Sequence, residues 1–380
     1  MKWKIPLFKS YWEEDDVESV SKVIRRGTYW ATGPEIKEFE EALSKYIGTH
    51  YAVVFNSGTA ALHSILISYK IKKNEEVIVP SFTFIATSNS VILAGAKPVF
   101  AEIEEKTYGL DSEDVKNKIT KKTKAIMPIH YGGLACRDIE KIRDIAVDKN
   151  ILLIEDAAES LGSKINDKMV GTFGSAAMFS FCQNKVITTG EGGVIVTDSK
   201  DIYEKLKLIR SHGRVEVKSD NYFSTTKSMD YSDIGYNFRM PTMLAALGLS
   251  QLSKIQKTVK MRRKNANYLN EKLSKIDQIK TPIEPEKHFH VYQMYTIQLK
   301  TKKQRDDLQN HLTKKGIMSK VYFDPIHLKT FYKKEFRYKK GDLPKTEKIS
   351  EKVLTLPMYP SLEKQELDLI AESIKDFFEV

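Results

Sequence analysis

Residues 179–193 read Phe179-Ser180-Phe181-Cys182-Gln183-Asn184-Lys185-Val186-Ile187-Thr188-Thr189-Gly190-Glu191-Gly192-Gly193. The short apolar run Ala176–Phe181 leads into a lysine, and a glycine-rich turn leads out of it into a second run, Gly193–Val196. Short continuous apolar runs fit strands buried on both faces of a largely parallel, helix-covered sheet. Five more runs precede them, Ala52–Phe55, Val77–Val79, Pro98–Phe100, Ala125–Ile129 and Ile151–Ile154, with helical stretches between. Seven such runs predict an α/β domain over roughly residues 1–250. At its start, residues 15–26 predict a helix ended by Gly27. Gly33-Pro34 then opens a helix through Tyr46, with Ile36, Phe39, Leu43 and Tyr46 on one face.

Past residue 250 the pattern changes. Residues 254–273 predict a helix with Ile255, Val259, Ala266, Leu269 and Leu273 in one stripe and its lysines on the opposite, solvated face. Strands are expected over His290–Leu299 and Gly316–Phe323, a polar helix between them, and a closing helix over 363–378. These make a smaller C-terminal α+β domain, residues 251–380.

The chain has 380 residues, and its net charge of +11 comes from 61 Lys+Arg against 50 Asp+Glu. No apolar stretch approaches the roughly 18 residues of a membrane span, and the opening MKWKIPLFKSYWEEDD has no apolar leader core. Two cysteines, Cys136 and Cys182, exclude a disulfide scaffold and fit a reduced, cytoplasmic protein. The basic balance admits small anionic substrates or nucleic acid. For the latter the stretch KTFYKKEFRYKK (329–340) interleaves Phe331, Tyr332, Phe336 and Tyr338 with base. A lysine-rich loop over aromatic anchors explains the same stretch.

Ligands of open α/β sheets sit outside the carboxyl ends of the strands, and four such ends carry unusual chemistry. After Phe55, Asn56-Ser57-Gly58-Thr59 opens a helix, which makes either an anion cradle or a plain cap by Ser57. Asp156 follows Ile154-Glu155 at a strand end, placed to pair with a protonated heteroaromatic nitrogen or to cap the next helix. Lys185 sits where a lysine becomes a Schiff-base nucleophile, or else is an exposed loop lysine. Ser180, five residues earlier, can offer its hydroxyl to the same anion as Ser57–Thr59. Gly235-Tyr236-Asn237-Phe238-Arg239-Met240-Pro241 places Asn and Arg among aromatics, suited to contacts outside its own unit or to a polar turn before a core helix. Together the cradle, the acid and the lysine are what pyridoxal 5′-phosphate requires.

The order of these parts resembles the DegT-type pyridoxal-phosphate sugar aminotransferases. The matching pieces run from IPLF and TGPEIKEFE through NSGTAAL, PSFTFIATSNSV, GAKPVF, MPIHYGG, IEDAAES, FSFCQNKVITTGEGG and GYNFRM to HVYQMYTI, VYFDPIH and LPMYP. The resemblance implies an aspartate aminotransferase-like fold (fold type I), with a mainly parallel seven-stranded sheet plus the smaller C-terminal α+β domain. It also implies residue roles. Lys185 would be the Schiff-base lysine and Asp156 the acid facing the pyridine nitrogen. Gly58, Thr59 and Ser180 would bind the phosphate, and Phe84 would stack on the cofactor ring. Asn237 would reach the phosphate of the neighbouring subunit, which makes the protein a homodimer with shared sites.

Glu159 stands where many members have Gln or His near the cofactor's phenolic oxygen, so it should hold a proton or bond through one. The DAAE and NK…TTGEGG runs resemble a subset typified by GDP-perosamine synthases, which aminate C4 of a nucleotide-linked 4-keto-6-deoxyhexose. L-Glutamate is the implied donor. Relatives with histidine at the lysine position dehydrate the sugar instead, and position 185 is lysine. The alternatives are amination of a C3-keto sugar or a keto-cyclitol and, more remotely, a nucleic-acid-binding regulator on the same scaffold.

Overall fold

The computed structural model describes residues 3–215 and 229–379. In chain order α1 (Glu14–Arg26) and α2 (Pro34–Ile47) lead into β1 (Tyr51–Phe55), α3 (Gly58–Ser68), β2 (Glu76–Pro80), α4 (Ala86–Leu93) and β3 (Lys97–Ala101). Then come α5 (Ser112–Lys118), β4 (Thr123–Ile126), α6 (Ile139–Asp148), β5 (Leu152–Asp156) and the short pair β6 (Lys164–Ile165) and β7 (Lys168–Met169). After these, β8 (Ala176–Ser180), β9 (Gly193–Thr197) and α7 (Lys200–Arg210) complete the large sheet and its cover.

That sheet has seven strands in the order β1-β9-β8-β5-β4-β2-β3. All seven runs seen in the sequence are its strands. Only β9 is reversed, antiparallel to both β1 and β8, while β8, β5, β4, β2 and β3 pair in parallel. Side chains alternate across the sheet with the period of two that strands impose. Val54, Ile78, Ile126 and Phe179 pack on one face with Phe39, Leu43, Ile139 and Ile142. Val53, Val79, Ile154 and Ile195 pack on the other with Leu62, Ile65, Val91 and Leu206. Two covered faces explain why the strands read as unbroken apolar runs.

Two helices, α8 (Thr242–Ser253) and α9 (Ile255–Leu273), carry the chain away from this sheet. Residue 250 lies inside α8. Next come β10 (Ile279–Lys280), β11 (His288–Phe289), β12 (Tyr295–Leu299), α10 (Lys302–Lys315), α11 (Thr330–Phe336), α12 (Pro344–Lys352), β13 (Val353–Leu356) and α13 (Lys364–Glu379). Strands β10, β12 and β13 form a three-stranded sheet. It shares a core with Leu269, Leu273, Leu308, Leu312, Ile370 and Ile374.

Three expectations change. Gly316–Phe323 is not a strand, because it makes only isolated bridges, Ile317 to Ile5 and Lys320 to Thr355. The place beside β12 belongs to β13, whose four residues are all buried. His290–Met294 leaves the strand pattern because the Val291 and Met294 amides donate to the carbonyls of Gly133 and Gly132 rather than to a strand. Lys254 is not on a solvated face; it is buried, with Asp15 and Asp16 at 2.6 and 2.7 Å.

Candidate active site

Six strands present their carboxyl ends at one rim of the large sheet, and the reversed β9 brings its beginning there. The site is assembled at this rim, in a cavity of about 410 Å³.

The first wall is the turn from β1 into α3. Ser57 caps the helix, its Oγ accepting from Ala60 N at 3.1 Å, so the plain-cap reading holds. Among the described residues the Gly58 and Thr59 amides have no acceptor, as expected for the first turn of a helix. Ser180 stands directly against this turn. A Cβ added to Gly58 would lie 3.2 Å from the Ser180 Cβ and 3.3 Å from its Oγ. Gly193, at the start of β9, is packed still closer, since a Cβ there would meet Gly58 N at 2.8 Å. Both glycines let backbone approach backbone where the cradle forms.

The second wall is the end of β5. Neighbouring strand residues point to opposite faces, and the two acids separate accordingly. Glu155 is fully buried, accepting from the Gly171, Phe173 and Gly174 amides and bonding His130 Nε2 at 3.0 Å. Asp156 faces the cavity. Thr87 Oγ1 donates to Asp156 Oδ2 at 2.8 Å, and Ala158 N donates to Oδ1 at 3.2 Å. No helix follows Asp156, so it caps none. Burial pushes its carboxyl above the ordinary aspartate value, against the lowering effects of Thr87, the Ala158 amide and Lys185.

Lys185 rides on the connection between β8 and β9. That connection is pinned by Phe181 N to Gly192 O at 2.9 Å and Thr189 N to Phe181 O at 3.0 Å. Gln293 Nε2 also donates to Asn184 O at 2.5 Å. Lys185 is no exposed loop lysine: it and Glu159 are each 13% exposed, with Nζ 3.4 Å from Glu159 Oε1. The other Glu159 oxygen accepts from Gly132 N at 2.9 Å. Cys182 lines the cavity half-buried and donates to Glu191; burial raises its thiol.

Gly58, Thr59, Phe84, Asp156, Glu159, Ser180 and Lys185 therefore line one cavity. Asn237 does not. It is exposed, its carbonyl accepting from Asn56 Nδ2 at 3.4 Å behind the cradle. Sequence reasoning missed Thr87, the Gly132 amide, and Tyr322, Phe323 and Lys320, which close the cavity from the C-terminal part of the chain. No sequence signal marks Thr87; its hydroxyl lies 2.8 Å from that of Thr83, which precedes α4. The KTFYKKEFRYKK stretch is not a loop but helix α11 and the turn after it, seated on aromatic anchors. Tyr332 is 1% exposed, Phe336 stacks on it, and Tyr338 OH accepts from Phe100 N. Among its four rings only Phe331 is exposed.

These residues fit pyridoxal phosphate: free amides for a phosphate, a buried carboxyl in need of a cationic partner, and an amine opening into the same space. The model of the DegT/DnrJ/EryC1/StrS aminotransferase family matches residues 10–375. GDP-perosamine synthase of Escherichia coli O157:H7 is 34% identical over 374 residues, covering 98% of each chain. Helicobacter pylori PseC, an aminotransferase in pseudoaminic acid biosynthesis, superposes over 100% of both chains with TM-score 0.91 and 28% identity. The PLP form of a putative sugar aminotransferase from Streptococcus pneumoniae covers 99% of this chain and 98% of its own, with TM-score 0.89 and 28% identity. The family uses pyridoxal phosphate. With a match over nearly its whole length, this chain belongs to the DegT/DnrJ/EryC1/StrS aminotransferase family.

Proposed function

We propose that this enzyme moves an amino group from L-glutamate to a nucleotide-linked keto-sugar, at C4 of a 4-keto-6-deoxyhexose. The observation that carries the reading is the convergence of Lys185, Asp156 and the α3 turn on one cavity. The identity with a GDP-perosamine synthase supports the sugar assignment.

In this reading the Gly58 and Thr59 amides and the Ser180 hydroxyl hold the cofactor phosphate, and Phe84 lies against its ring. Asp156 pairs with the ring nitrogen, and Thr87 keeps the carboxylate aimed. Lys185 Nζ is the amine that would hold the cofactor through its aldehyde. When bound, pyridoxal phosphate supplies an electron sink for the carbon that bears the nitrogen. The rest is work for Lys185, whose freed amine takes the proton from the donor's α-carbon and later returns a proton to the sugar carbon. Glu159 stands beside that amine to hold it in place. The Gly132 amide fixes the carboxylate's second oxygen, so its charge stays turned to Lys185.

The same reading makes the protein a homodimer with shared sites, Asn237 reaching its partner's cradle. Phe84 and Ile234 are 61% and 84% exposed in a single chain, which suits surfaces covered by a second copy. A cytoplasmic location belongs to the proposal too. No helix among the described residues is long and apolar enough to cross a membrane.

The test is an absorbance spectrum with pyridoxal phosphate before and after L-glutamate, followed by NMR of the product from a keto-sugar nucleotide. Conversion by glutamate and nitrogen at C4 are the expected results. Nitrogen at C3, or on a keto-cyclitol, would replace the C4 reading with its rival.

A further inference from the structure

We infer that Lys320 receives the anionic groups of both substrates in turn: a carboxylate of the amino donor and the diphosphate of the sugar nucleotide. The inference rests on the functional reading above and extends it to a residue outside the sequence-derived set.

Two lysines line the cavity, Lys185 and Lys320. Lys185 is paired with Glu159. Among the described residues Lys320 has no acidic partner, and Asp324, the acid in its own segment, is taken by Lys329 at 2.8 Å. The position of Lys320 is nonetheless fixed. Its N donates to Thr355 O at 3.0 Å and its O accepts from Thr355 N at 2.8 Å, tying it to β13. Its Nζ lies 4.9 Å from the centre of the Tyr322 ring. Tyr131 OH in turn donates to the Tyr322 carbonyl at 2.7 Å. A free cation held on an aromatic face at the rim of a cavity is placed for an anion.

The cavity's other charges sharpen the need. Asp156, Glu159 and Glu191 line it, three carboxylates against two lysines. An anionic substrate entering there meets repulsion unless a cation receives it. The α3 turn cannot serve, since the cofactor phosphate occupies it in the functional reading. In the functional reading glutamate and the sugar nucleotide would use the one cavity at different times, so each would present its anion to the same wall. A cavity of about 410 Å³ that also holds the cofactor leaves the nucleotide outside. The diphosphate then lies at the rim, where the exposed Lys320 sits.

The experiment uses cofactor-loaded wild type, K320A and K320R. Unreactive probes, glutarate for the donor and GDP, UDP and dTDP for the nucleotide, are titrated by calorimetry at two salt concentrations. The half-reactions with L-glutamate and with the sugar nucleotide are followed separately. K320A should weaken glutarate and the bound nucleotide alike, roughly ten- to a hundredfold, as for loss of one charged hydrogen-bonding partner. K320R should recover most of both, and the salt dependence of wild-type binding should flatten in K320A. Unchanged melting temperature and cofactor spectrum in K320A exclude a folding effect. If either probe binds K320A as tightly as wild type, the shared role is overturned. If wild type itself neither responds to glutamate nor binds any nucleotide diphosphate, it is the functional reading that fails.

Discussion

Asp156 and Lys185 face opposite problems in the same cavity. Burial makes the charged form of Asp156 expensive, whereas Lys185 has a counterion at 3.4 Å. An acid whose folded pKa is raised contributes stability below its unfolded pKa and loses that contribution as pH rises through the folded value. Asp156→Asn without cofactor should therefore melt no lower than wild type at neutral pH, and the difference should vanish below about pH 4. Turnover in the same variant should fall at least about a hundredfold, since an amide cannot hold a pyridinium charge. Wild-type turnover would remove from Asp156 the role of pairing with the ring nitrogen. Lys185→Ala should keep the fold and lose turnover by more than about a thousandfold. These residues were legible because each stands at the end of an apolar run. Thr87 and the Gly132 amide were not. They lie 69 and 27 positions from the groups they bond, and only the sheet order brings them together.

At the scale of elements, the large sheet was legible strand by strand because both its faces are covered. The C-terminal sheet was less so. Gly316–Phe323 has the apolar character of a strand, but its backbone bonds are divided between Ile5 and Thr355, on two different segments. The short run Val353–Leu356 follows directly on α12, with no Gly or Pro to mark its start. The contact between β9 and the α3 turn yields the sharpest expectation here. Gly193→Ala places a methyl 2.8 Å from Gly58 N and 2.9 Å from Ser57 C, both backbone atoms that cannot swing away. The strand or the turn must shift, at a cost of about 1–3 kcal/mol. Calorimetry should show the lower melting temperature, and a cofactor titration should show weakened binding, because the amides that move are those of the cradle. A variant that melts and binds like wild type would show that the packing is looser than these distances.

Across the whole molecule, the two sheets meet where His290–Met294 bonds to the Gly132–Gly133 turn. His290 is fully buried there, its Nδ1 2.9 Å from Gly133 O and 3.0 Å from Tyr292 N, and burial lowers its pKa to about 3. A histidine kept neutral in the fold binds its proton only on unfolding, so acid favours the unfolded chain below about pH 6.5. Between pH 7.5 and 5 this group alone should remove about 2 kcal/mol of stability. Urea titrations at the two pH values should show His290→Gln losing less on acidification than wild type, and equal losses would relieve His290 of that part. The reversal of β9 reaches further, into the order in which the chain folds. Strands β8 and β9 pair as neighbours in sequence, Ser180 opposite Gly193, so the hairpin that carries Lys185 has low contact order and little loop entropy to overcome. Asp156 lies on β5, whose parallel pairings close somewhat longer loops, Ile154 with Ala176 on β8 and Leu152 with Ala125 on β4. Under the proposed function Lys185 would then be held in place before its acid, and competence for the cofactor would come with the later parallel pairings. Pulse-labelled hydrogen exchange during refolding should protect the amides of residues 177–196 ahead of those of β2 and β4.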